Sequence, residues 1–287
     1  MAQVAVRLED VHVDYPVQAG ATRKILYGID LEIESGEFVS IVGQTGCGKS
    51  TLLRLILAEE KPTSGRVLVG GRERSQPDRY CGYVPQRYSL FPDKTVLNNV
   101  TFGPEVTGLN GFSRLTPEGR KRLREYREDA MRYLRHTGLM DADARKYPHQ
   151  LSGGMQQRVA IAQALIMKPP VLLMDEAFSA LDPGTRAGMQ RLIHELWRES
   201  GTTIVFVTHN TREAVCLGTR IIALAKEESG EQGSSVALDL SVPHANFDSD
   251  EEEIRRLIGE VEAATLPRSA SGDACSQSVA VHAGSSD

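Results

Sequence analysis

Three short stretches carry residue types whose spacing could do chemistry on a phosphate chain. In Gly43-Gln44-Thr45-Gly46-Cys47-Gly48-Lys49-Ser50, a glycine and four residues precede Gly-Lys-Ser. Small residues in that order let backbone N–H groups wrap phosphates, and a helix starting there adds positive potential. Lys49 would reach the β- and γ-phosphates of a nucleotide, Ser50 would ligand Mg²⁺, and Thr51 would support the α-phosphate. The pattern alone does not choose among kinases, GTPases and other nucleotide enzymes. The second stretch, Val171-Leu172-Leu173-Met174-Asp175-Glu176, is an apolar run that ends in two carboxylates. Asp175 could anchor Mg²⁺ through water, and Glu176 could polarise an attacking water as general base. In the third, Leu151-Ser152-Gly153-Gly154-Met155-Gln156, a serine and two glycines open a helix and make a second anion site. Two such loops around one γ-phosphate make sense when a second copy of the chain supplies one of them.

These groups need elements to position them. The run 38–42 is short, apolar and β-rich, as a fully buried strand should be. A glycine loop and a helix over 50–58 follow it, so strand, loop and helix form one unit. Alternation predicts strands over 4–13 and 29–33. Further strands are predicted at 66–69, 80–84, 171–174, 203–208 and 220–225, with an edge strand at 235–240. Helices are predicted at 156–167, 183–200, 212–217 and 249–263. Another, over 117–138, has Thr116 as cap, Pro117 in its first turn and Gly138 at its stop. Its apolar stripe is Leu123, Tyr126, Ala130 and Leu134, and Arg120, Lys121, Arg124, Arg127 and Arg135 read as a solvated face. Strand–helix alternation after residue 170 implies a parallel sheet covered by helices. The stretch from about 87 to 150 lacks that alternation and reads as a helical insertion.

Composition sets the outer limits. The 287 residues are 40% apolar, enough for a substantial core. No run of 18 apolar residues could span a bilayer, and the first ten residues do not resemble a secretory signal. The four cysteines, Cys47, Cys81, Cys216 and Cys275, lack metal spacing, so reduced thiols are expected. Net charge is -5, but residues 227–287 hold 13 Asp and Glu against 3 Lys and Arg. The small basic excess left to residues 1–226 is spread thinly and does not point to nucleic acid. From about residue 267 the chain is rich in Ser, Ala and Gly and reads as a disordered acidic tail.

Over residues 4–225 the sequence resembles the ABC (ATP-binding cassette) ATPases. Leu151–Gln156 looks like that family's signature motif, and Ser179-Ala180-Leu181-Asp182 is similar to its D-loop. By resemblance, Gln86 is the glutamine that contacts Mg²⁺ and the attacking water. His209 is the histidine that contacts the γ-phosphate, and Tyr15 is the aromatic that stacks on adenine. The implied fold is an α/β P-loop NTPase core with an antiparallel β subdomain and a helical subdomain inserted at about 87–165. A short extension over 226–266 and the tail over 267–287 follow. The resemblance also implies ATP and Mg²⁺ as ligands. Catalytic roles fall to Glu176, His209 and Gln86, and metal contacts to Ser50, Gln86 and Asp175. Nucleotide contacts fall to Tyr15, to residues 43–51, and to Ser152, Gly153 and Gly154 of a second copy. Ala177, Gln163 and Met155 depart from common family residues, but none removes a catalytic group.

Implied partners are a second ATPase subunit in a head-to-tail pair, separate integral membrane permease subunits and, indirectly, an extracytoplasmic substrate-binding protein. The implied location is the cytoplasmic face of the inner membrane. A cassette acting on DNA or the ribosome would usually carry two cassettes or a long coiled coil. A metabolic kinase would not explain Leu151–Gln156 or His209. An exporter normally fuses its cassette to membrane helices. Phe91-Pro92-Asp93-Lys94-Thr95-Val96 and Met155-Gln156-Gln157-Arg158 resemble the importer group for nitrate, sulfonates and taurine. The 62 residues after Ala225 are too few for the regulatory β-domain of sugar and polyamine importers.

Overall fold

A computed structural model of the protein describes residues 3–17, 21–86, 90–179, 181–227, 233–242 and 251–267. Residues 87–89 of the expected helical insertion, Ala180 of the D-loop-like stretch, the first two residues of the helix expected over 249–263 and the tail beyond Pro267 lie outside the described residues.

Two sheets organise the described residues. The smaller pairs β1 (Val4–Pro16) with β2 (Thr22–Glu34), β4 (Ser64–Val69) with β1, and β5 (Arg72–Glu73) with β4, all antiparallel. Its first two strands run beyond the alternating stretches at 4–13 and 29–33. The β1–β2 register shifts between Leu8 and Val11 and again between Val11 and Asp14, so the two-residue period breaks while pairing continues. Asp10, at φ 45, sits at the shift between Leu8 and Val11.

The larger sheet has the order β10-β9-β3-β8-β7-β6. It comprises β3 (Phe38–Gly43), β6 (Cys81–Val84), β7 (Val171–Asp175), β8 (Thr203–Val207), β9 (Arg220–Ala225) and β10 (Ser235–Ser241). Neighbours from β9 to β6 are parallel, and β10 joins β9 antiparallel at the edge, as its position in the sequence suggested. Every residue of β3, β7 and β8 is buried, because helices or the second sheet cover both faces. One core holds α1 (Lys49–Ile56) between the sheets through Leu52, Leu53 and Ile56. On the opposite face, α5 (Pro183–Ser200) packs Met189 and Ile193 against Phe38, Phe178 and Phe206. At the edge, α6 (Thr211–Leu217) and α7 (Glu251–Thr265) close a smaller core through Val215, Ile254, Leu257 and Val261.

A fourth core contains no strand. It joins α2 (Val96–Gly108), α3 (Pro117–His136) and α4 (Gly153–Leu165) through Val100, Leu134 and Val159. Thr116 caps α3 by accepting from Gly119 N–H at 3.0 Å. Of the expected apolar stripe on α3, Ala130 and Leu134 are buried, but Leu123 and Tyr126 are only half-buried. The basic first half of α3 therefore extends past the core. Helix α4 begins three residues earlier than the pattern predicted. Ser152 caps it by accepting from Met155 N–H, which draws both glycines into its first turn.

Asn99 on α2 fastens the turn in front of that helix. Its Oδ1 accepts from Phe91 N–H at 2.7 Å, and its Nδ2 donates to the carbonyls of Phe91, Lys94 and Thr95. The side chain is fully buried, so truncation takes the partner from Phe91 N–H and Lys94 O, while the Phe91 and Thr95 carbonyls keep their backbone donors. Asn99→Ala is expected to destabilise the subunit by about 1–3 kcal/mol, measured by denaturant unfolding.

Candidate functional site

The parallel register brings distant residues to one end of the large sheet. Ile41 of β3 and Asp175 of β7 both pair with Val207 of β8, and Val84 of β6 pairs with Met174. The loop after Gly43, the carboxylates at 175 and 176, His209 and Gln86 therefore emerge at the carboxyl edge, where ligands of open α/β sheets bind.

The glycine loop joins β3 to α1. Gly48 is the N-cap of α1 at φ 94, and a Cβ there would stand 2.6 Å from Leu26 Cδ2. Only glycine suits both conditions. Gln44, Thr45 and Gly46 are exposed along the loop, and Cys47 is buried beneath it. Burial pushes the Cys47 thiol up, with Lys49 opposing the shift. Lys49 is 6% exposed, and its Nζ donates to the carbonyls of Gly43 at 2.7 Å and Gln44 at 3.2 Å. Among the described residues no carboxylate forms an ion pair with it. A buried cation whose oxygen partners are carbonyls, at the start of a helix, fits a chain of phosphates.

Asp175 ends β7 and is buried. Burial raises its carboxyl, and a hydrogen bond with Ser50 opposes the rise. These two oxygen donors suit Mg²⁺, which takes its other ligands from phosphate and water. Among the described residues no cluster of three His, Cys, Asp or Glu side chains could hold a metal without such help. Bound there, Mg²⁺ would neutralise charge on the β- and γ-oxygens.

Glu176 is the meeting point. Its Oε2 accepts from Gln86 Nε2 at 2.8 Å and lies 3.1 Å from His209 Nδ1. Its backbone holds φ 45, a region that side chains rarely adopt, and its N–H donates to Val207 O at 2.8 Å. The sheet thus fixes the carboxylate by its backbone, while the Gln86 amide donates to its oxygen and the His209 ring stands beside it. Gln86, expected at both the metal and the water, is placed by its amide on Glu176. Such a carboxylate can take a proton from water, and His209 can face the phosphate being cleaved.

Tyr15 stands at the end of β1, beside α1. Its hydroxyl accepts from Arg54 Nη2 at 3.0 Å, and the same nitrogen donates to Thr51 Oγ1 at 3.2 Å. The aromatic and the helix start are thus linked. Ser152, Gly153 and Gly154 lie elsewhere. No hydrogen bond or ion pair among the described residues joins them to Lys49, Asp175 or Glu176 of the same chain. Gly154 instead abuts Leu181 and Thr185, where a Cβ would stand 3.1 Å from Thr185 Cγ2. Sequence reasoning missed Arg54 and Tyr83. Burial pushes the Tyr83 phenol up to about 12, and its hydrogen bond with Asp175 adds to the rise. Only the pairing of β6 with β7 brings Tyr83 beside Asp175, so no local motif marks it.

Fold and site define a nucleoside triphosphatase with a phosphate-binding loop. A profile of the ABC transporter family matches residues 26–179. A Pseudomonas putida protein named aliphatic sulfonates import ATP-binding protein SsuB is 42% identical over 78% of this chain and 74% of its own length. An uncharacterized ABC transporter ATP-binding protein of Methanocaldococcus jannaschii is 40% identical over 82% of this chain and 83% of its own. The bicarbonate transport ATP-binding protein CmpC of Synechococcus elongatus is 39% identical over 85% of this chain, which spans 35% of that longer protein. A dimeric ATP-binding cassette solved in a post-hydrolysis state with ADP and Pi superposes with TM-score 0.69 at 34% identity, covering 83% of this chain and 98% of that one. The chain belongs to the ABC transporter family. It is an ATP hydrolase of that family, using ATP and Mg²⁺, with hydrolysis coupled to transport.

Lys49→Ala removes the buried cation of the loop. ATP hydrolysis is expected to fall by about a hundredfold or more, measured as phosphate release. ATP binding should weaken with it.

Proposed function

We propose that the chain is the ATPase subunit of an importer of a small anion, of the kind that includes sulfonates and bicarbonate. The names of the sulfonate-import and bicarbonate-transport relatives support the substrate class. The observation that carries the catalytic assignment is the convergence of Gln86 and His209 on one oxygen of Glu176, beside the phosphate loop. In this reading Glu176 accepts the proton of the attacking water, Gln86 and His209 orient it, and His209 contacts the γ-phosphate. Asp175 and Ser50 hold the metal, residues 43–51 hold the phosphates, and Tyr15 lies under the base. Residues 4–225 are the cassette, with the helical subdomain over about 87–165.

Ser152, Gly153 and Gly154 are apart from their own chain's phosphate loop and are capped for an anion. We assign them to the nucleotide of a second copy. The dimeric cassette with ADP and Pi supports that pairing. No helix among the described residues is long and apolar enough to cross a membrane. In this reading separate integral membrane permease subunits carry the solute, an extracytoplasmic binding protein delivers it, and the chain sits peripherally at the cytoplasmic face of the inner membrane. The docking face is the helical subdomain. Leu90 packs into its core, but Phe91 stays 36% exposed, 4.6 Å from the Phe102 ring and with Lys94 over both rings. Nearby in sequence, Phe112 is 89% and Leu115 77% exposed. Exposed aromatics of this kind suit interface anchors.

Glu176→Gln keeps the shape of the site but cannot accept the proton. It should bind ATP and elute as a stable dimer with ATP in size-exclusion chromatography, with turnover abolished. A persistent monomer or undiminished turnover counts against the mechanism. Phe91→Ser with Phe112→Ser should reduce co-purification with the permease and solute uptake, with ATP binding by the isolated subunit kept within about twofold. Loss of nucleotide binding would place the docking face elsewhere.

A further inference from the structure

Two charged side chains beside the site have no role in the chemistry above. Glu213, on α6, is 7% exposed among Ala214, Val215 and Leu217. Its Oε2 accepts from Thr208 Oγ1 at 2.8 Å, and its Oε1 faces Arg186 Nε at 3.6 Å. Arg186, on α5, donates through Nη2 to Leu181 O at 3.0 Å. Its buried Nε has no hydrogen-bond acceptor, so charge rather than a hydrogen bond joins it to Glu213. Such a pair is a poor source of stability, since an apolar pair of similar volume often serves as well or better.

Position explains the pair better. The Thr208 hydroxyl also accepts from Asn210 N–H at 3.0 Å, and Asn210 Oδ1 accepts from Glu213 N–H at 3.2 Å. These bonds bracket His209 on both sides. His209 in turn meets Glu176 at 3.1 Å. At the other end, Leu181 and Thr185 pack against Gly154 in the first turn of α4. A continuous line of contacts therefore runs from the signature glycines through Leu181, Arg186, Glu213 and Thr208 to His209.

We propose that Arg186 and Glu213 are positioning residues that hold His209 against Glu176 and make that placement depend on the signature helix of the same chain. The inference rests on the roles assigned above to His209 and Glu176 and to the signature of a second copy. Because the signature reads the partner's nucleotide, the line ties occupancy of one site in the pair to catalysis in the other.

The test is steady-state ATP hydrolysis by the full chain carrying Arg186→Ala or Glu213→Gln, each alone and combined with His209→Ala. Each single variant should lower kcat about tenfold with KM and ATP affinity within about twofold, and should reduce the Hill coefficient toward one. Neither should lower activity further in the His209→Ala background, because contacts that act through one residue are not additive. Arg186→Lys, which keeps the charge, should recover part of the loss. An unchanged kcat, a loss that adds to that of His209→Ala, or a parallel collapse of ATP affinity and thermal stability would overturn the proposal. If Arg186→Ala does not fold, the near-isosteric Glu213→Gln decides the matter. A fully active His209→Ala overturns the assignment of His209 itself. An inactive His209→Ala beside fully active Arg186 and Glu213 variants overturns this proposal alone.

Discussion

The parallel ladder through β3, β8 and β7 sets the level at which every functional group stands. Val207 pairs with Ile41 on one side and Asp175 on the other, so the strands end together. Side chains do not choose that register by charge, because all three strands are buried throughout. Apolar packing on both faces and backbone hydrogen bonds hold it. A one-residue slip would turn every side chain of a strand to its other face and move Asp175 away from Ser50. The loop at 43–50 and the 208–210 turn are consequences of where those strands stop.

Around that edge the protein keeps several ionisable groups out of water. Lys49, Asp175 and Glu213 are all buried, and burial raises both carboxyls toward the neutral form. Each is offset by short-range partners: carbonyls for Lys49, the Ser50 hydroxyl for Asp175, and the Thr208 hydroxyl for Glu213. Such groups interact more strongly than they would in water. Glu176 and His209, by contrast, reach the surface, where water and phosphate can meet them. In the proposed mechanism the dry, fixed groups underneath hold the ligand and the accessible pair above reacts.

Much of this was legible in the sequence, for a physical reason. The phosphate loop, the Asp-Glu strand end and the Ser-Gly-Gly helix start are local devices, in which residues a few positions apart do the work. In the large sheet β3 and β7 announced themselves as short buried runs. The hairpin of β1 and β2 was legible only over 4–13 and 29–33; residues 14–16 and 22–28 pair as well, but register shifts interrupt the alternation there. Gln86 was legible as a site residue, but its bond to Glu176 spans 90 positions and belongs to tertiary structure. Tyr83 and Arg186 are of the same kind. Each acts through a neighbour supplied by another element, so no window of sequence contains the reason for it.

The left-handed backbone at Glu176 has a consequence for how such a chain can change. An L-residue held at φ 45 costs about 1–2 kcal/mol relative to an ordinary conformation. Glycine would relax that turn, and so would asparagine to a lesser degree, but either would discard the carboxylate on which Gln86 and His209 converge. Selection for a tougher fold and selection for turnover therefore pull in opposite directions at this one residue. With Glu176 as the proposed general base, drift toward greater robustness would pass through a catalytically silent cassette.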